Sequence, residues 1–331
     1  GCDSRGLFQG LKIATHPDFE KYLNQYNVIH LNMRDYLTES ENMKQLIQFV
    51  EDDLLDELQQ EFSDLRMPRR KTLVKVLEQA FVQYKIPFVF IIDEWDCIFR
   101  VHKSDAASQK EYLDFLRNLL KDKSYIALAY MTGILPIKKY GEHSAINVFY
   151  EYSMTDASPI EEFTGFTEQE VRQLCEQYNM PFSETKKWYD GYLLKDYQVY
   201  NPRAVVSVML KGEYKSYWSE TASYEAIVPF INMNYDGLKT AIIEMLSGSS
   251  VKVNTATFKN DTVNIQSKDD VLTYMIHLGY LGYDQTEKIA FVPNEEIRQE
   301  LTNAVKSKSW NEMLMFQQES EILLDATLDM D

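Results

Sequence analysis

The sequence predicts an α/β fold whose first part is a parallel sheet with crossover helices, and three observations predict it. Residues 88–92 form an unbroken apolar run that stops at Asp93-Glu94, residues 125–131 form a second run that stops at Thr132-Gly133, and helix-period segments lie before and between them. The elements follow in order. Residues 28–33 read as a short buried strand between the polar Asn27 and the break at Arg34-Asp35. Over 42–62, Leu46, Phe49, Val50, Leu54, Leu58 and Phe62 recur at three- or four-residue steps, the stripe a half-buried helix requires. Pro68 is expected to open a second helix that runs to Tyr84, with Arg69-Arg70-Lys71 as a solvated first turn. Pro87 opens the run at 88–92, apolar throughout and therefore expected to be covered on both faces. A helix over 108–121 leads into the second run, and strand–helix–strand order implies a right-handed crossover.

Beyond Glu151 the alternation is lost and short helices punctuated by Gly and Pro take over. Thr167 with Glu170 is a capping box, and Pro202 suits the first turn of a further helix. From Asp236 onward helices at 238–246 and 269–278, a strand pair at 280–283 and 289–292, and a helix at 294–306 follow the order of a winged-helix arrangement. The expected division is an α/β domain over 1–150, a helical lid region over 151–235, a winged-helix-like α+β unit over 236–310, and an acidic tail or linker over 311–331.

Composition narrows the function classes. The formal net charge of −17 repels phosphate backbones unless basic residues gather on one face, and here they are scattered, so nucleic-acid binding is not supported. No run approaches the roughly 18 consecutive apolar residues that cross a bilayer. Cys2, Cys97 and Cys175 form no CxxC pair, and His16, His30, His102, His143 and His277 are dispersed, so neither a disulfide framework nor a zinc cluster is suggested. A reducing cytoplasm is the expected setting. The chain opens on Gly1 without a basic or apolar leader and reads as cut from a longer protein.

An apolar strand ending in Asp-Glu is the Walker B pattern. The carboxyl end of a parallel strand opens onto the crevice where α/β sheets bind ligands. There Asp93 could hold a hydrated Mg2+ that bridges phosphate oxygens, and Glu94 could orient and deprotonate an attacking water. Thr132, at the end of the neighbouring strand, suits contact with a γ-phosphate or with that water. The competing reading is a strand that ends in an acidic loop beside a Thr-Gly cap. A phosphate loop of the form G-x-x-x-x-G-K-[ST] is not found. Residues 6–13 misspace the glycines and put Ile13 where a hydroxyl is needed, and residues 67–72 have no glycine.

The segments at 88–96, 131–137, 163–167, 188–192 and 200–202, with Tyr217-Trp218, resemble the AAA-ATPase-like family of bacterial proteins, which often carry a nuclease domain of the PD-(D/E)XK kind at the carboxyl end. The resemblance implies an incomplete P-loop NTPase-type parallel sheet with a helical lid, and an ATPase that uses ATP and Mg2+. Asp93 would bind the metal through water, with Glu94 and Thr132 catalytic. It also implies that a phosphate loop resembling Arg-Pro-Arg-Arg-Phe-Gly-Lys-Ser lies upstream and that a nuclease begins near Asp331, so this chain alone is expected to bind no cofactor tightly and to be inactive. Asp190, Tyr192 and Asn201 are open to two readings, lid residues that face the nucleotide or a structural turn around Gly191. The rival to the ATPase is a protein-interaction scaffold with a vestigial nucleotide site.

Overall fold

A computed structural model of the chain describes residues 3–102, 105–134, 136, 148–218, 235, 237–258 and 265–306. Leu135, Ile137, His143 and the acidic stretch at 311–331 lie outside the described residues. The chain divides into two compact units, Gly1–Phe149 and Tyr150–Asp331.

In the first unit the elements run α1 (Phe19–Tyr22), β1 (Asn27–Asn32), α2 (Met33–Glu39), α3 (Met43–Glu61), α4 (Leu73–Tyr84), β2 (Phe88–Asp93), α5 (Cys97–Val101), α6 (Ala106–Leu120) and β3 (Ile126–Met131). The strands form a parallel sheet in the order β1-β2-β3. Short polar side chains start the long helices. Asn42 accepts from the Gln45 amide at 3.1 Å and Asp105 from the Ser108 amide at 3.0 Å, each satisfying a first-turn donor that has no intrahelical partner. The expected stripe of α3, Leu46, Val50, Leu54 and Leu58, is buried, and with Val76 and Leu77 of α4 and Tyr112 and Leu116 of α6 it forms one core with Ile29, Leu31, Phe90 and Ile92 of the sheet.

Two expectations for this unit are corrected. The second helix begins at Leu73, not at Pro68. The preceding segment turns back instead, with the Arg66 amide donating to the Gln83 side chain at 3.1 Å and that side chain donating to the Asp64 carbonyl at 3.1 Å. Arg69-Arg70-Lys71 is therefore an exposed loop ahead of the helix. Among the described residues, moreover, the sheet is covered on one face only. In register, Val28, Val89 and Leu128 lie in one row and His30, Ile91 and Tyr130 in the next, all on the face opposite the core. Val28 is 61% exposed, Leu128 55% and Tyr130 50%. An apolar strand run reports burial by at least one layer, and the second layer usual for a parallel sheet is not found among the described residues.

The second unit contains β4 (Phe166–Thr167), α7 (Glu168–Tyr178), α8 (Phe182–Tyr189), β5 (Tyr192–Leu194), β6 (Tyr197–Tyr200), α9 (Pro202–Lys211), α10 (Leu238–Leu246), β7 (Val251–Lys252), α11 (Lys268–His277), β8 (Gly282–Asp284), β9 (Ile289–Phe291) and α12 (Glu295–Lys306). Thr167 and Glu170 close the expected capping box on α7, and Asn201 caps α9 with Pro202 in its first turn. Residues 151–218 are not purely helical, because β4, β6 and β5 pair as an antiparallel sheet. The later elements follow the order helix, strand, helix, hairpin, helix, with a second antiparallel sheet β7-β9-β8.

Hydrogen bonds stitch these two parts of the unit together. The Tyr192 hydroxyl donates to the Gly279 carbonyl at 2.8 Å, and the Asn294 side chain donates to the Asp190 carbonyl at 2.8 Å. Gly191, at φ 102°, lies against Pro293 so closely that an added Cβ would stand 2.0 Å from the Pro293 carbonyl oxygen. Glu296 of α12 accepts from the Tyr217 amide at 2.7 Å and the Trp218 amide at 3.1 Å. Its other carboxylate oxygen is buried without a partner. Burial, helped by Glu300 one turn on, pushes Glu296 up to about 7.

A carboxyl raised in the folded state binds its proton more tightly there than in the unfolded chain. Glu296 therefore lets stability fall as pH rises from its ordinary value near 4.5 through about 7. His277, held down to about 4 by burial, works oppositely below its ordinary 6.5, so the two partly cancel in mildly acidic solution. The comparison with Glu296→Gln isolates the first. The variant keeps an acceptor for both amides and is expected to be more stable than the parent by on the order of 2 kcal/mol at pH 8, with the advantage vanishing near pH 5. Urea unfolding at both pH values checks this, and an advantage that does not change with pH would contradict it.

Candidate functional site

Asp93 is the last residue of the central strand, in register with Asn32 of β1. Thr132 is the first residue beyond β3, and its amide donates to the Ile92 carbonyl at 2.9 Å while its own carbonyl accepts from the Trp95 amide at 3.1 Å. The backbone thus fixes Thr132 beside the turn that leaves β2. Its hydroxyl donates to Asp93 Oδ1, and the Glu94 amide donates to the same oxygen at 2.9 Å. Sequence reasoning selected Asp93, Glu94 and Thr132, and the fold brings the three together at the carboxyl edge of the sheet. Glu94 has φ 54°, in the left-handed region, which turns the chain sharply out of the strand.

Two further residues of this turn escaped sequence reasoning as parts of the site. Asp96 is 1% exposed, accepts from the Ile134 amide at 3.2 Å, and lies 3.2 Å from Nε of Arg100, four residues on along α5. Arg100 also pairs with Glu94 through Nη2. Burial works against charge on the Arg100 guanidinium, but Asp96 and Glu94 outweigh it and hold its pKa above the ordinary value. The i,i+4 spacing of Asp96 and Arg100 was the available signal. Gly133 allows the approach of the two strand ends, since a Cβ there would stand 2.7 Å from both Asp96 Oδ1 and the Trp95 ring. Trp95 is held in turn by Phe99, at 5.4 Å between ring centres, and by the Tyr112 hydroxyl, which donates to its carbonyl at 3.0 Å. Burial pushes the neighbouring Cys97 thiol up to about 12, which keeps it from acting as a thiolate nucleophile.

Among the described residues no group of three or more His, Cys, Asp and Glu side chains is arranged to hold a metal ion. A Mg2+ contact through Asp93 fits the donor set only in the form this ion prefers, one carboxylate with waters and substrate phosphates completing the shell. Tyr192 and Asn201 spend their side-chain polar groups elsewhere, whereas Asp190 has its Oδ2 3.6 Å from Lys186 Nζ and its Oδ1 buried with no hydrogen-bond partner among the described residues. The Asp190 carbonyl and the Tyr192 hydroxyl serve the junction around Gly191, and the Asn201 side chain accepts from the Arg203 amide at 2.9 Å. The contacts of Tyr192 and Asn201 are those of a structural turn and a helix cap.

Residues 2–141 match the family model described as predicted AAA-ATPase, so the first unit is similar to that family. The chain is 24% identical over 247 residues to an uncharacterized protein in the vnfD 5′ region of Azotobacter chroococcum mcd 1. That alignment takes in 73% of this chain and 45% of the relative, so the chain spans less than half the length of the curated protein it matches. A superposition with Cdc6p from Pyrobaculum aerophilum covers 91% of this chain and 83% of that one at 10% identity, with a TM-score of 0.27, too low to establish a shared fold. No helix among the described residues is long and apolar enough to cross a membrane.

Proposed function

We propose that this chain is part of an ATP-binding and ATP-hydrolysing regulatory module, and that Asp93, Glu94 and Thr132 are its hydrolytic residues. The observation that supports the reading most is the convergence of Asp93 and Thr132, joined by a hydrogen bond, at the carboxyl edge of a parallel sheet in a segment similar to predicted AAA-ATPases. In this reading Asp93 holds a hydrated Mg2+, whose contribution is to neutralise charge on the phosphoryl oxygens. Glu94 accepts the proton of the attacking water, and Thr132 orients Asp93 and faces the reacting phosphoryl group. The phosphates themselves need backbone amides and a lysine, which a phosphate loop in the parent protein would supply.

Asp93 and Glu94 are both acidic, so without such a loop they repel a triphosphate. Titration calorimetry of this chain with ATP and Mg2+ is expected to show no tight binding, and micromolar affinity would overturn the reading of the site. In a parent protein that carries a Gly-Lys-Ser loop, Glu94→Gln is expected to retain nucleotide while slowing hydrolysis by roughly a hundredfold, the scale of a lost general base. Undiminished turnover in that variant would remove Glu94 from the chemistry.

A second reading, a protein-interaction scaffold with a vestigial nucleotide site, is favoured by one observation. The uncovered rows that contain Val28, Leu128 and Tyr130 offer an apolar face suited to protein contact. A DNA-reading winged helix is not favoured. The helix–strand–helix–hairpin order of 238–306 suits the name, but α11 is buried from Asp270 to Ile276 and its ends carry Lys268, Asp269 and His277, which make no basic face.

A further inference from the structure

Residues 66–71, Arg-Met-Pro-Arg-Arg-Lys, put four cations into six positions of a chain whose formal net charge is −17. Arg66, Arg69, Arg70 and Lys71 are exposed, and none of the four side chains has an ion pair or a hydrogen bond among the described residues. Other cations of this unit are neutralised close by, Lys75 at 2.7 Å from Glu78 and Arg117 at 2.8 Å from Asp114. Asp64, the acid nearest the loop along the chain, is engaged elsewhere, since it accepts from the Tyr84 hydroxyl. Positive charge therefore stands uncompensated at this loop in a chain that is acidic as a whole.

The backbone beneath these cations is tied down. Leu65 and Leu73 are buried on either side of the loop, and Met67 packs on the core. The Arg66 amide donates to the Gln83 side chain at 3.1 Å, and that side chain donates to the Asp64 carbonyl at 3.1 Å. A partner that docks here orders side chains but no backbone, which lowers the cost of binding. Three of the four cations are arginines, whose planar fork meets a carboxylate through two parallel hydrogen bonds. The neighbourhood then limits the length of the partner. α3, which leads into the loop, exposes Asp52, Asp53, Asp56, Glu57 and Glu61. A nucleic-acid backbone that runs beyond the loop meets their repulsion, whereas a peptide with its acids gathered over a few residues ends before it.

We propose that residues 66–71 are a docking surface for a short acidic peptide segment of a partner protein, whose carboxylates are received by Arg66, Arg69, Arg70 and Lys71. The surface is independent of the ATPase reading and is testable without nucleotide.

Fluorescence anisotropy with a dye-labelled decapeptide of alternating glutamate and serine tests this on the chain as it stands. Binding is expected at about 20 mM salt and should weaken about tenfold or more at about 200 mM, as exposed charge pairs do when screened. Arg69→Ser, Arg70→Ser and Lys71→Ser together should weaken it by about tenfold or more while the melting temperature stays in place, because exposed loop positions carry little stability. Lys44→Ser, Lys110→Ser and Lys252→Ser together remove the same charge from exposed positions elsewhere and should change affinity by less than about twofold. Absence of binding by the unaltered chain overturns the proposal, and so does an equal loss in the two triple variants, which would assign the effect to overall charge. Tighter binding of a ten-nucleotide single strand of DNA overturns it as well, since the loop would then read phosphates and not carboxylates.

Discussion

Gly191→Ala is expected to destabilise the second unit by about 4 kcal/mol or more, the upper range for single substitutions. Two effects combine. The residue sits at φ 102°, where a Cβ is strained whatever the space. The new methyl would also stand 2.0 Å from the Pro293 carbonyl oxygen and 2.7 Å from its carbon, both backbone atoms that no side-chain rotation can clear. Relief requires β5 to move away from the start of α12, and that movement breaks the bonds from Tyr192 to the Gly279 carbonyl and from Asn294 to the Asp190 carbonyl. Hydrogen exchange over residues 190–200 and 279–296 is the measurement, because it resolves each unit separately where a global melt would mix them. Protection preserved in both segments would show that the junction is looser than its geometry.

Asp96→Ala is the counterpart in the first unit, with an expected cost of about 3 kcal/mol. Removing one partner of a buried ion pair costs roughly 3–5 kcal/mol when the other is left buried, and the figure here falls at the low end because Arg100 is partly exposed and keeps Glu94. The Ile134 amide loses its acceptor as well. Asp96→Asn keeps an oxygen for that amide and should cost less. The ordering of the two variants, measured by hydrogen exchange across residues 88–101, is the test, and equal costs would assign the effect to the lost charge and not to side-chain shape or the acceptor oxygen.

Much of the first unit was legible because its signals are local. The stripe over 42–62 announces a helix by its spacing, and the apolar run at 88–92 ending in Asp93-Glu94 marks a strand and a candidate site in one reading. Pro68 misled because a proline suits a first helical turn without compelling one, and the ties from Arg66 and Asp64 to Gln83 that delay the helix to Leu73 are tertiary. The β5–β6 hairpin was missed because it turns at Lys195-Asp196, with Lys195 at φ 55°, in place of the Asn-Gly or Asp-Gly pair that marks such turns. Arg100 was hidden by the shortness of α5, whose five residues are too few to display a period. The open sheet face was illegible in principle. An apolar strand looks the same in sequence whether its outer rows are covered or bare.

The face left open among the described residues bears on how copies of the chain meet in solution. β1 and β3 are both edge strands of the described sheet, so Val28, Leu128 and Tyr130 stand beside backbone groups that have no strand to pair with on their outer side. Two copies that meet there could bury apolar surface and extend the ladder at once. Opposing them is the formal charge of −17, whose repulsion acts over about 10 Å at 0.1 M salt but only about 3 Å at 1 M. Dispersal of the molecules is thus a property of the solvent as much as of the protein, held by long-range repulsion over a short-range stickiness that salt uncovers.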